Sequence, residues 1–406
     1  MNTLTPVDVY ALFNEIVSQA TGRTDLKAVD TSSFQTVGET VLRTGTENVL
    51  NSVSTVLART IFSVRPYRAK LSSLIVSQER WGGQVRKIVT LYDEAEKSED
   101  WNTDVTPNQL DDGNAVDMYK IRKPKVLQLN FYGTKLLQKH ITRFRDQLSL
   151  AFSNEKEFMA FIDSVMIEFF NEVELLNESK ARLTLISHIA GMVNMGIGVV
   201  DLVSEYNKKY GTTYTREELL SIQLSSFMKF VASTIKIYSK RLTDMSTNYH
   251  ANIDKLPKIM RHTPRERQKM IMYDPIYIEA ESEVYSSLFN PQYLEIGDFE
   301  GVNYWQSQNE PTKISVTPNI LDTATGASKN GVETTIPYCL GILFDEEALG
   351  SLPQFDYASS TPFNSAGGYW NMYMHWRFNA YSDYTENAVV FILGDGGASD
   401  STASTK

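Results

Sequence analysis

The chain has a single cysteine, Cys339, so no disulfide can close within it, and that scarcity fits a reducing compartment. Histidine is almost as rare. The five, at positions 140, 188, 250, 262 and 375, form no H-x-x-x-H or H-E-x-x-H pair, and with one thiol they offer no zinc pattern. There is no G-x-S-x-G elbow, and Cys339 has no catalytic signature around it. The run Gly191-Met-Val-Asn-Met-Gly196-Ile-Gly198 lacks both the Lys-Ser/Thr of a phosphate loop and G-x-G-x-x-G spacing. Glu346 and Glu347 are adjacent and so point apart, and no acidic stretch has the D-x-D-x-D-G spacing of a calcium loop. These absences leave no catalytic, cofactor-binding or metal-ligating residue to assign. The chain reads as a non-enzyme that needs no cofactor.

Long apolar runs and excess positive charge are missing too. Leu183 to Val200 is free of Asp, Glu, Lys and Arg, but it holds His188, Asn194 and three glycines and is barely long enough to span a bilayer. It reads as a helix end, a glycine turn and a buried strand, and no membrane partner is expected. The N-terminus, MNTLTPVDVYALF, has no basic region and places Asp8 where a signal core would be. Lys and Arg number 39 against 49 Asp and Glu, a net charge of -10, which excludes nucleic-acid binding through a basic body.

What is present begins with one stretch. From Asn154 to Ala190 there is no glycine or proline; Asn154 and Glu157 form a capping box, and Phe158, Phe161, Ile162, Val165, Phe169, Val173 and Leu176 recur at helical spacing. A single helix of that length runs roughly 55 Å at 1.5 Å per residue, too long for one ordinary compact domain. Ahead of it, Thr5-Pro6 opens a helix with Val9, Phe13, Ile16 and Val17 on one face; a polar stretch follows, then a second helix from Thr46 to Ile61, stopped by Val64-Arg65-Pro66. The period then changes to two. Val85, Ile88, Val89 and Leu91 make one strand and Val126 to Phe131 another. Between them, nine acidic residues against Lys97 give Asp93 to Asp117 a net charge of -8, which predicts a projecting β-hairpin with an acidic tip.

After Gly133 the pattern predicts a short helical run to about Leu150, then the long helix, ended by Gly191, Gly196 and Gly198. Thr215-Arg216-Glu217-Glu218 is a second capping box opening a helix to about Leu242. Residues 229–269 are basic, ten Lys or Arg against three acids, a net of +7. Strands are expected at Lys269 to Tyr273 and Ile276 to Ile278, a helix at Ala280 to Phe289, and mixed strands and loops to about Asn364. Two aromatic, β-branched strands close the chain at about 368–381 and 387–393, before a low-complexity tail expected to be disordered.

The acidic and basic segments are complementary. Within one subunit they would neutralise each other; between subunits they would steer and register assembly, and the second reading is the one adopted. The residues expected at such contacts are Asp93, Glu94, Glu96, Trp101, Asp111 and Asp112 on one side and Lys240, Arg241, Arg261 and Arg265 on the other.

The closing motif Gly368-Tyr369-Trp370-Asn371-Met372-Tyr373-Met374-His375-Trp376, followed by Asn387-Ala388-Val389-Val390-Phe391 and preceded by the long helical run Phe158 to Ala190, resembles the Hong Kong 97-type major capsid protein of tailed phages. More narrowly it looks like the capsid proteins of small short-tailed phages of Gram-positive hosts, over about Gly133 to Gly394. The resemblance implies an α+β fold: an N-terminal arm (1–75), an extended β-hairpin loop (76–132), a peripheral domain with a spine helix (133–195), an axial domain (196–365), closing strands (366–394) and a tail (395–406). No added C-terminal immunoglobulin-like domain is expected. It also implies self-assembly as pentamers and hexamers into an icosahedral or prolate head, in the virion, after synthesis and assembly in the host cytoplasm. Scaffolding and portal proteins would be partners, with packaged DNA touched only locally. The alternatives are a nanocompartment-type cage of the same fold, and a structural protein binding nucleic acid through residues 229–269.

Overall fold

The computed structural model describes residues 6–44, 52, 70–76, 85–92, 118–119, 121, 123, 125–133, 135–144, 155–276, 278 and 298–396, without the side chains of 6–9, 31–32, 42–44, 155–170, 298 and 354–358. The chain divides into two units. One comprises Met1–Gly83, Tyr132–Arg182 and Ser351–Ala380; the other comprises Gln84–Phe131, Leu183–Gly350 and Tyr381–Lys406.

The first unit opens with helix α1 (Pro6–Thr21), in which Phe13, Ile16 and Val17 are fully buried, as their spacing predicts. Its partner, α2 (Thr31–Thr44), falls where a polar stretch was expected. Asp30 caps it by accepting from the Ser33 backbone N–H at 2.7 Å, and Phe34, Val37 and Val41 form its buried stripe. Phe13 and Phe34 meet with ring centroids 4.1 Å apart, so the two helices bury each other's apolar sides. The helix expected at Thr46 to Ile61 lies outside the described residues except for Ser52.

A second correction concerns the run after Gly133. Residues Lys135–Phe144 are not helical but form strand β3, paired antiparallel from Phe378↔Lys135 to Tyr369↔Phe144 with the closing strand Tyr369–Ser382. That strand, β13 below, alternates buried Trp370, Met372, Met374, Trp376 and Phe378 with more open residues, and a ten-pair ladder against it overrides the local helical preference of Leu136 and Leu137.

The long helix α3 (Glu155–Met195) has 41 residues, five more at its C-terminal end than expected. The stripe from Phe158 to Phe169 lies outside the described side chains; further along, Ala181, Leu185, Ile186, Ile189, Ala190 and Met192 are buried. Lys139 of β3 pairs with Glu172 of α3. Gly191 does not end the helix; it lets Tyr384 pack against it, since a Cβ there would lie 2.1 Å from the Tyr384 hydroxyl oxygen. The stop is at Gly196 and Gly198, both at positive φ, 67° and 64°.

The second unit is built on a five-stranded mixed sheet. In chain order its strands are β4 (Val199–Asp201), β5 (Gln268–Tyr273), β6 (Asp298–Val302), β11 (Cys339–Asp345) and β14 (Ala388–Ile392), arranged β4-β14-β11-β5-β6. Every residue of the central β11 is buried, as a strand covered on both faces requires. Its Cys339 thiol is pushed up by burial and so held protonated and inert. Short ladders join β7 (Ile314–Val316) to β10 (Thr334–Ile336) and β8 (Asn319–Leu321) to β9 (Ser328–Asn330), while β12 (Leu349–Ser360) and β13 (Tyr369–Ser382) lead back to the first unit's sheet. The predicted helix after Thr215 is two: α5 (Arg216–Ser221), with its capping box formed, and α6 (Leu224–Leu242). An unforeseen α4 (Leu202–Tyr210) precedes them, capped by Asp201, which also accepts from the Gly394 N–H at 2.9 Å. Residues 274–276 are helical rather than extended, with Pro275 in a first turn where its missing N–H costs nothing. The helix expected at Ala280 to Phe289 and the tail beyond 396 lie outside the described residues.

Candidate functional site

The two strands that lead out to the acidic segment are β1 (Val85–Thr90) and β2 (Val126–Phe131), paired antiparallel from Val85↔Phe131 to Thr90↔Val126. Their inward face holds Val85, Lys87 and Val89 opposite Phe131, Leu129 and Leu127. Leu91 and Leu127 pack with Ile253 and Ile259 in one apolar cluster, joined by Leu129 and Leu321. The hairpin root is therefore held on the second unit by apolar contact.

Lys87 adds an ionic anchor. Its Nζ lies 2.6 Å from Glu386 and 3.2 Å from both Asp383 and Glu347. Burial pulls this ammonium down, but Asp383, Glu386 and Glu347 outweigh it and hold its pKa above the ordinary lysine value. Arg261 Nη2 shares Glu386 at 3.0 Å, and its Nε donates to the Thr385 carbonyl at 3.0 Å. Arg267 pairs with Glu346 and Glu347. Beside these runs a buried chain: His250 bonds Asn387 at 3.0 Å, Asn387 donates to Thr263 at 3.2 Å, and Thr263 donates to Asp345 at 2.8 Å. These bonds fix the turn between β13 and β14, and through Lys87 that turn fixes the hairpin.

The expected contact residues fare unequally. Asp93, Glu94, Glu96, Trp101, Asp111 and Asp112 lie outside the described residues. Lys240 and Arg241 are exposed at the end of α6, with the Arg241 guanidinium 4.9 Å from the Tyr238 ring centroid. Arg265 is half-buried in a single turn of 3-10 helix, and Arg261 is paired inside the fold. Sequence reasoning missed Lys87 itself. The available signal was a lone lysine between Val85 and Val89 at inward-facing register, a position that requires a buried partner.

The arrangement holds the root of the β1–β2 pair through apolar packing and the Lys87 ion pairs. A sequence model described as the Phi29-like phage major capsid protein matches residues 11–392. The chain belongs to that family. As a phage major capsid protein it has solved structural relatives. It is similar to a chain in the capsid structure of Staphylococcus phage Andhra, with TM-score 0.52, 9% identity, and coverage of 82% of this chain and 87% of that one. A chain in the structure of the head fiber and inner core protein gp22 of native bacteriophage P68 aligns with TM-score 0.49 and 10% identity over 82% and 88%. At such identity the likeness to the Andhra chain concerns the fold alone, the mixed helix-and-sheet fold of a phage capsid. No curated protein matches the sequence. Among the described residues, no helix is long and apolar enough to cross a membrane.

Proposed function

We propose that this phage major capsid protein is a shell subunit of the Hong Kong 97 type. It closes with copies of itself, as pentamers and hexamers, into a head around packaged DNA, in a short-tailed phage of a Gram-positive host. The family match and the Andhra-like fold support the shell; the long α3 and the closing strands support the type. In this reading 1–75 is an arm, 76–132 an extended loop, 133–195 the peripheral domain, 196–365 the axial domain and 366–394 the return to the core. Assembly takes place in the host cytoplasm, with scaffolding and portal proteins as partners and DNA touched only locally, as a net charge of -10 requires.

The observation that carries the contact map is an anchored hairpin root leading into a segment of net charge -8, in a chain whose α6 ends in exposed Lys240 and Arg241. The acidic segment (Asp93, Glu94, Glu96, Trp101, Asp111, Asp112) lies against the basic surface of an adjacent copy, where complementary charge steers and registers assembly. Arg265 flanks that surface, and Arg261 supports it from within. Changing Glu94, Asp111 and Asp112 to lysine leaves the subunit folded but impairs assembly, and adding Lys240→Glu and Arg241→Glu restores part of it. Unimpaired assembly of the triple variant at low salt would contradict the contact map.

A further inference from the structure

We infer that the β1–β2 root and the β8–β9 hairpin order together through one shared support, so that steadying either steadies the other; the consequence for assembly rests on the capsid reading. Each is a two-stranded sheet, with no third strand among the described residues. An isolated pair of strands is at best marginally stable in water, so each depends on what it packs against. Both pack against the same segment, residues 251–261, which has no regular secondary structure.

The first link is apolar. Leu91, Leu127 and Leu129 of the root and Leu321 of β8 join one cluster with Ile253 and Ile259 of that segment. The segment also receives the hairpin's backbone. The Asp254 N–H donates to the Thr323 carbonyl at 2.9 Å, and Gly326, at φ 73°, passes so close that an added Cβ would lie 3.2 Å from Ile253 Cδ1. The second link is polar. Lys87 holds the turn at 383–387 through Asp383 and Glu386, and the Tyr384 hydroxyl of that turn donates to the Asn319 carbonyl of β8 at 2.7 Å. The Tyr384 carbonyl in turn accepts from the Ala251 N–H at 2.7 Å, which ties the turn to the segment carrying Ile253 and Ile259.

Two marginal elements on one support are thermodynamically coupled. Ordering residues 251–261 costs conformational entropy once, and whichever hairpin docks first leaves less of it for the second to lose. The coupling is reciprocal, because it is a single free energy shared by two sites. In a shell subunit, a contact that holds the acidic segment therefore also steadies β8–β9, and a contact on β8–β9 readies the root of the acidic segment.

Hydrogen exchange of the unassembled subunit tests this through two amides: Leu91, bonded to the Lys125 carbonyl at 2.9 Å, and Asp322, bonded to the Ala327 carbonyl at 2.8 Å. Asp322→Ala removes the Thr325 and Lys329 contacts at the hairpin tip and changes no residue of the apolar cluster. It is expected to speed exchange at Leu91 by about threefold to tenfold, the size of a coupling between neighbouring groups. The Val390 amide, bonded to the Gly198 carbonyl in the central sheet, should not move, which separates coupling from general destabilisation. Lys87→Met should likewise speed exchange at Asp322. In a Leu321→Ala, Tyr384→Phe background, where both links are cut, adding Asp322→Ala should leave Leu91 exchange where the background set it. Unchanged Leu91 exchange in Asp322→Ala, or equal acceleration at Val390, would overturn the inference. These measurements need no shell, so a parent that fails to assemble would overturn the capsid reading and leave the coupling standing.

Discussion

His188 is fully buried, stacked 4.8 Å from the Tyr384 ring centroid, with Nδ1 2.8 Å from the Ser382 hydroxyl and no partner for Nε2 among the described residues. Burial depresses its pKa from 6.5 to about 3. The unfolded chain takes this proton below pH 6.5 and the folded chain does not until near 3, so stability falls as pH drops through that window. The loss reaches on the order of 2 kcal/mol by pH 5. Urea unfolding of the unassembled subunit at pH 7 and pH 5 should show it, and His188→Gln should shrink the difference by about that amount. Lys87 titrates at the other end. Its raised pKa means its contribution is complete below about 10.5 and is lost as pH rises through the folded value. Lys87→Met should destabilise the subunit by roughly 3 kcal/mol, because three carboxylates lose a shared cation, and should flatten the alkaline limb of the stability curve. An unchanged unfolding midpoint would mean that the anchor contributes nothing.

At the scale of elements, α3 makes a sharp case. Gly to Ala in a helix interior ordinarily stabilises by about 1 kcal/mol. At Gly191 the added Cβ would lie 2.1 Å from a hydroxyl that also donates to the Asn319 carbonyl at 2.7 Å, so the ring cannot step aside freely. Gly191→Ala should therefore destabilise by roughly 1–3 kcal/mol in thermal or urea unfolding, and a stabilised variant would show that the packing there is loose. The same elements show what a sequence can and cannot reveal. The long helix was legible because nothing breaks its periodicity, and the hairpin root because its period is two. Strand β3 was not, because its state is set by β13, far along the chain, and Lys135 to Phe144 alone reads equally well as a helix. Helix α2 hid behind Asp30 and Ser33, polar residues that act as a cap rather than a loop. The anchor was hidden for the same reason as β3: Lys87 gives a signal only once Asp383 and Glu386 are brought to it.

At the scale of the whole molecule, the sequence gives two opposed charge blocks and the structure gives an anchored root for one and an exposed helix end for the other. Each is weak alone. Repeated in every subunit of a closed shell, weak contacts act together, so the account predicts a steep dependence of assembly on protein concentration and on salt. Light scattering of the purified subunit across a salt series should show assembly falling as ionic strength rises; insensitivity to salt would remove the electrostatic part of the account. The central claim is tested most directly by electron microscopy of the purified chain at high concentration and low salt, with scaffolding protein added if the chain alone stays dispersed. The account predicts closed shells of uniform size, whereas a chain that remains a small monomer in every condition would contradict it.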